Sequence, residues 1–411
     1  MTQTVQKNLA LKVILGLSIL VLLLVILGWI LVTRFADSYD AVEEVAALPE
    51  LAPLTDTVSQ NAWIDWREGE VTPDFYVAGM NIRIDAAVDD GLNLAVMTVT
   101  APDGNAVTIR GEATSKAAAS FAVVQMDAAS EARQILFSSF SGGAHCCTQA
   151  YMLEYTTNGW RTVDLGAWDG DVLALPQDLD GDGKKEFLLS DQRFLYAFSS
   201  YADSVSPPAI YAVQNGHFTD VSKEAKYRPA FERELNRMKS YCQQGSNGGC
   251  AGYVATAARV GKLEEAWRVM LASYSKDNSW TFPAPCKVTT TEDCPENEMS
   301  IFETYPESLQ WFLGEAGYTD AVYTPWANPN GPSFSCAAAR TNVERMICGH
   351  PDLKRIDMMM SVAYTRAHAL SPDRAALRAA QADFLRERNA ATDEQGIWDV
   401  YVRRLELLKS V

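Results

Sequence analysis

The stretch PQDLDGDGKKEFLLSD sets Asp178, Asp180, Asp182 and Glu186 at positions 1, 3, 5 and 9 of one loop, with Gly183 after the third aspartate. Carboxylate oxygens at alternate positions of a glycine-assisted turn wrap a Ca²⁺ ion, and a backbone carbonyl at Lys184 completes such a set. Three aspartates so spaced repel one another unless a cation neutralises them, which favours calcium over a bare acidic turn. Position 12 is Leu189, where an EF-hand places a bidentate glutamate, and the flanks read as strands. The expectation is a structural calcium that fixes a hairpin, held by Asp178, Asp180, Asp182, Lys184 and Glu186.

A second cluster, FSGGAHCCTQAYML, puts His145, Cys146 and Cys147 behind two glycines. Zinc takes four ligands, and adjacent cysteines rarely serve one ion. A redox pair favours Cys-x-x-Cys at a helix start, which this is not. The spacing therefore favours a vicinal disulfide or two buried thiols, with the glycines allowing close backbone approach. The chain has no Gly-x-Ser-x-Gly, no His-Glu-x-x-His and no phosphate-binding glycine loop. An envelope hydrolase acting on glycan or peptidoglycan through paired carboxylates stays as an alternative without a motif of its own.

Three kinds of element must position these groups. Between Lys12 and Arg34 run 21 uncharged residues, mostly Leu, Ile and Val, enough to span a bilayer as one helix. Lys7 and Lys12 precede the run, and four acids follow soon after it. That asymmetry predicts a cytoplasmic tail and transmembrane anchor at 1–34, single-pass in the inner membrane, with the bulk of the chain on the periplasmic side. Residues 35–60, acidic and proline-bearing, read as a stalk.

Residues 61–222 read as an antiparallel β domain, sandwich or propeller-like, from short β-branched and aromatic runs broken by Asn-Gly or Asp-Gly. Residues 223–330 read as helical, with Tyr253, Val260, Leu263, Trp267 and Met270 at helical intervals. Residues 331–411 form a second helical domain. There Thr341 and Glu344 make a capping box, and Leu353, Ile356 and Met360 share one face. Ser371 and Pro372 start a further helix, and Trp398, Val402, Leu405 and Leu408 line the last one.

Eight cysteines suit an exported chain. They fall in local groups, which favours pairing Cys146 with Cys147, Cys242 with Cys250, Cys286 with Cys294, and Cys336 with Cys348. The net charge of −17 argues against nucleic acid as a partner.

Two resemblances add to this reading. The loop at 178–186 resembles the Asp-x-Asp-x-Asp-Gly turns of FG-GAP and VCBS repeats. The segment from Phe334 through Cys336, Thr341, Glu344, Ile347, Cys348, Leu353, Asp357, Tyr364, Gln381, Phe384 and Leu385 to Arg388 resembles the LprI-type lysozyme inhibitor domain. The second resemblance implies a stapled helical module that binds an envelope protein or cell-wall component, with lysozyme among the candidates. Lys354, Arg355 and Arg388 would then be the donors to its carboxylates. The expectation is a non-enzymatic, membrane-anchored binding protein; a scaffold acting through 223–330 is a further alternative.

Overall fold

The computed structural model describes residues 21–30, 56–70, 74–170, 173–277, 279–288, 294–321 and 331–410. The chain divides into two units, 1–55 and 56–411. In the first, residues 21–30 are helical (α1) and expose Leu22, Leu24, Leu27 and Trp29. Among the described residues no helix is long and apolar enough to cross a membrane. Most of the expected span, and the stalk up to residue 55, lie outside them.

Twelve strands of the second unit make three antiparallel sheets. The middle sheet has the order β1-β6-β7-β8-β9, from β1 (Trp63–Arg67), β6 (Ala118–Val124), β7 (Gln134–Phe140), β8 (Thr148–Thr156) and β9 (Gly159–Trp168). A four-stranded sheet holds β2 (Phe75–Val77), β3 (Met80–Asp89), β4 (Leu92–Thr100) and β5 (Ala106–Arg110). The third sheet holds β10 (Phe187–Ser190), β11 (Pro208–Gln214) and β12 (His217–Asp220).

Side chains alternate along a strand, so each strand of the middle sheet serves two cores. Phe121, Val123, Ile135, Phe137 and Leu153 pack against Ile82, Ile84, Met97 and Val99 of the four-stranded sheet. Their neighbours Ala122, Val124, Leu136 and Met152 pack with Phe187 and, at its margin, Tyr211 and Val213 of the third sheet. Burying one such Phe or Leu side chain contributes about 1.5–3 kcal/mol. The stack is a layered sandwich, which corrects the propeller-like alternative: β1 pairs with β6 across the sheet instead of closing a blade.

The outer face of the third sheet is covered by helices α2 (Arg228–Gln243), α3 (Asn247–Arg259), α4 (Leu263–Ser273) and α5 (Tyr305–Glu315). Ile210 and Ala212 share one core with Phe231, Met238, Tyr253, Trp267 and Leu309. This core crosses residue 222, where the sequence marks a change of element type. Helix α3 lies close to the 199–205 segment because Gly248 and Gly252 face it; a methyl group at either would overlap Asp203 O or Val205 O.

Helices α6 (Asn342–Gly349), α7 (Pro351–Leu370), α8 (Arg374–Ala390) and α9 (Glu394–Leu408) complete the unit. Thr341 and Glu344 form the capping box. The chain bends there, bringing the Cα atoms of Cys336 and Cys348 to 5.7 Å in a disulfide. Two boundaries differ from expectation. Asp373, not Ser371, caps α8, accepting from Ala376 N, while Ser371 Oγ accepts from Asp373 N. Helix α9 buries Ile397, Val400, Tyr401 and Leu408 and leaves Trp398 and Val402 exposed. Its face is rotated because the Tyr401 hydroxyl must reach buried Asp357.

Candidate functional site

Where α3, α4, α5, α7 and α8 meet, a cleft of about 860 Å³ opens. The guanidinium of Arg259 lies 4.1 Å over the ring of Tyr318, and that of Arg374 lies 4.3 Å over Trp267. Stacking fixes the plane of each guanidinium and leaves its N–H edge free to donate. Among the described residues, Arg259 Nε and Arg374 Nη1 have no hydrogen-bond partner although both are buried. Arg374 is only 5% exposed, and burial, reinforced by the nearby Arg378 charge, pushes its pKa down to about 10.

His368 fixes the cleft floor. Its Nδ1–H donates to Gln310 Oε1 at 2.6 Å, and its Nε2 accepts from Arg374 Nε at 3.2 Å. Burial and then the charges of Arg374 and Arg378 push its pKa down to about 3, so the imidazole is neutral. Glu264 takes Arg378 at 2.8 Å and stands 4.0 Å from Arg374. Lys223, Arg259, Arg374 and Arg378 therefore outweigh Glu264 and Asp320 among the described lining residues. Such a set suits carboxylate or phosphate oxygens, which accept charge-assisted N–H bonds. The sequence carries no sign of this site, because Arg259 ends α3 while Arg374 and Arg378 lie on α8, more than a hundred residues later. Trp267 reads there only as core.

The acidic loop leads directly into β10 and bridges back to the segment after β6 at Asp127 and Lys184. Ligand oxygens of Asp178, Asp180 and Glu186 all lie within 4.8 Å of one another. Asp178 accepts from Gly181 N and Gly183 N, and Glu186, buried, accepts from Leu179 N. Burial holds the Glu186 carboxyl above its usual range. Asp182 stands outside this trio; its carboxylate accepts from Lys184 N. The counter-charge is Lys226, whose Nζ sits 2.7 Å from Asp180 and 3.5 Å from Asp182. Its hydrogen bond to Asp180 holds Asp180 below the usual carboxylate range and raises Lys226. The loop thus pairs with the turn that starts α2.

His145 stands at the other end of the β layers. Its Nδ1 lies 3.0 Å from both Asp169 oxygens, and its Nε2 lies 2.8 Å from Tyr196 Oη. Tyr201 stacks on the imidazole at 3.9 Å and donates to Asp169. Cys146 and Cys147 are joined to each other, and the remaining cysteines pair Cys242–Cys250 and Cys286–Cys294. Asp169, Tyr196 and Tyr201 escape a sequence reading because they reach His145 only through the fold.

Of the three basic residues assigned to partner binding, Arg355 is exposed and Lys354 half-buried. Arg388 is a correction: it is buried, 3.7 Å from fully buried Asp357, and donates to Tyr401 Oη. Its guanidinium is committed to the core.

Comparison with family models matches residues 230–317, which carry α2–α5, to the sll0997 C-terminal domain. A probable thylakoid lumen protein, sll0997 of Synechocystis sp., is 33% identical over 245 residues, covering 57% of this chain and 71% of that protein. The chain belongs to this sll0997 family. The uncharacterised protein y4bJ of Sinorhizobium fredii is 32% identical over 202 residues, 48% of this chain and 32% of that protein. No solved structure matches significantly.

This finding overturns the resemblance to the LprI-type domain, for which there is no match. The residues that carried it have packing roles: a staple at Cys336 and Cys348, a cap at Thr341 and Glu344, and a buried polar trio of Asp357, Arg388 and Tyr401. The FG-GAP and VCBS resemblance falls with it, since the loop enters a three-stranded sheet inside a layered body.

Proposed function

We propose that this chain is an extracytoplasmic binding protein, tethered by its apolar N-terminal segment, that grips a carboxylate or phosphate group of its partner between Arg259, Arg374 and Arg378. One observation carries this reading: Arg259 and Arg374, each stacked on an aromatic ring, line an open cleft together with Lys223 and Arg378, against Glu264 and Asp320 among the described lining residues. An anionic group there would neutralise the excess positive charge and accept charge-assisted N–H bonds. The compartment is supported by four disulfides and by the lumenal name of the Synechocystis relative. The tether rests on the 21-residue uncharged run and its flanking charges. Calcium at Asp178, Asp180 and Glu186 acts in this reading as a structural brace.

Calorimetric titration with inorganic phosphate and, separately, with citrate tests it. Saturable binding that weakens with salt and is lost in Arg259→Gln/Arg378→Gln is the expected result. Absence of binding, or binding equal in wild type and variant, removes the reading.

A further inference from the structure

Glu264, in the first turn of α4, lines the arginine cleft and faces two of its cations. Its Oε1 accepts from Arg378 Nη1 at 2.8 Å, and its Oε2 stands 4.0 Å from Arg374 Nε. Among the described residues no other carboxylate is paired with two arginines. An acid in the first turn also suits the helix dipole. Glu265 fills that role beside it and turns instead to Lys239 at 3.5 Å. The dipole therefore does not account for a carboxylate laid across the cleft.

The contact is incomplete. Glu264 is tethered to α4, so its carboxylate reaches Arg378 and stops short of hydrogen-bond distance to Arg374. Arg374 is 5% exposed and directs its Nε to His368 Nε2 at 3.2 Å, leaving it no close acid among the described residues. Arg378 is exposed and Glu264 partly so. An ion pair of that kind is weak, and the side chain that leaves it has solvent to move into. A free carboxylate or phosphate carries no tether and can settle against both guanidiniums.

We propose that Glu264 is a built-in occupant of the cleft, an anion that covers Arg378 in the free protein and is displaced by the carboxylate or phosphate group of a ligand. Displacement presupposes that the cleft binds anions, as proposed above. A tethered carboxylate competes at the effective concentration that its short side chain sets. It thereby fixes which anions enter. A group with two or more oxygens bridges Arg374 and Arg378 and outbids Glu264, whereas a simple halide meets a position already filled. The same competition holds the affinity below what the four basic residues would give on their own.

Calorimetric titration of the full chain with inorganic phosphate and with citrate tests it on four forms. Glu264→Gln is expected to bind about fivefold tighter than wild type, the gain from releasing one exposed ion pair. Glu264→Asp keeps the charge but draws the carboxylate back by one methylene, and is expected to bind about threefold tighter. Asp320→Asn removes an equal charge from the same lining and is expected to change affinity less than about twofold. Binding by Glu264→Gln no tighter than wild type, where wild-type binding still needs Arg259 and Arg378, overturns the displacement and leaves the anion site standing. Glu264→Asp equal to wild type, with Asp320→Asn as tight as Glu264→Gln, reduces the effect to net charge and overturns it too. If no form binds either anion, the displacement and the anion site fall together.

Discussion

Arg374 and Trp267 are stacked, the guanidinium carbon 4.3 Å from the ring centroid, while the same indole donates from Nε1 to Ala369 O at 2.8 Å. One aromatic side chain of α4 thus ties the family-defining helices to the end of α7 and supports the cleft's most buried cation. Trp267 is 1% exposed. Packing and ligand recognition share this contact, and substitution can separate them.

Arg374→Met keeps the apolar cover over the indole and removes the charge. Its removal relieves a buried charge but leaves His368 Nε2 without the Arg374 Nε donor, a loss of about 1–3 kcal/mol. We expect urea unfolding to show a loss of no more than that while phosphate binding disappears. Trp267→Ala, by contrast, is expected to cost about 3–5 kcal/mol.

His368 predicts an acid-sensitive fold. Its pKa falls from the ordinary 6.5 to about 3 in the folded chain, because of burial and then the adjacent arginines. Below pH 6.5 the unfolded chain binds a proton that the native chain refuses, so stability is lost as pH falls from about 6.5 toward 3. The urea midpoint should drop between pH 7.5 and pH 5, and His368→Gln should drop less.

Calcium and Lys226 should compete for the same carboxylates. Saturating a site at a hundredfold excess over Kd contributes about 2.7 kcal/mol, so Ca²⁺ should raise the thermal midpoint in low-salt buffer. Lys226→Met is expected to lower the metal-free midpoint by leaving Asp180 unpaired, and to enlarge the calcium-induced rise. Asp180→Asn/Glu186→Gln should abolish the rise; a rise that persists would place calcium elsewhere.

Arg388 is predicted to matter for stability. Asp357 is fully buried, accepts from Ser333 N at 2.6 Å and from Tyr401 Oη, and has Arg388 as its counter-ion. Arg388→Met should cost about 3–5 kcal/mol by stranding that carboxylate. Asp357→Asn/Arg388→Met should recover part of the loss in denaturant titrations, a coupling that independent sites would lack.

What the sequence made legible was local. Short β-branched and aromatic runs marked β5, β7, β10 and β11, the capping box marked α6, and cysteine grouping marked pairs that close within twelve residues. These signals are written within one element or one turn. The arginine cleft and the His145 cluster are assembled from loops and helices that meet only after the layers stack, so no spacing records them. Arg388 shows the converse: a basic residue on a helix reads as surface until the partner carboxylate, 31 positions away, is seen beneath it. The resemblance built on Cys336 to Arg388 misled for a related reason. Caps, staples and core positions recur wherever short helices must pack.

The five-stranded sheet, covered on both faces, constrains how the chain reaches its native state. The segment of β7, buried over six of its seven residues, has high strand propensity and no charge, the profile of an aggregation-prone strand. Its second face is covered by β10–β12, synthesised later, which are in turn covered by α2–α5. A chain interrupted near residue 170 would therefore present Ala122, Val124, Leu136 and Met152 uncovered to its neighbours. The interval before the helices arrive is therefore the one in which these side chains lie open to other chains.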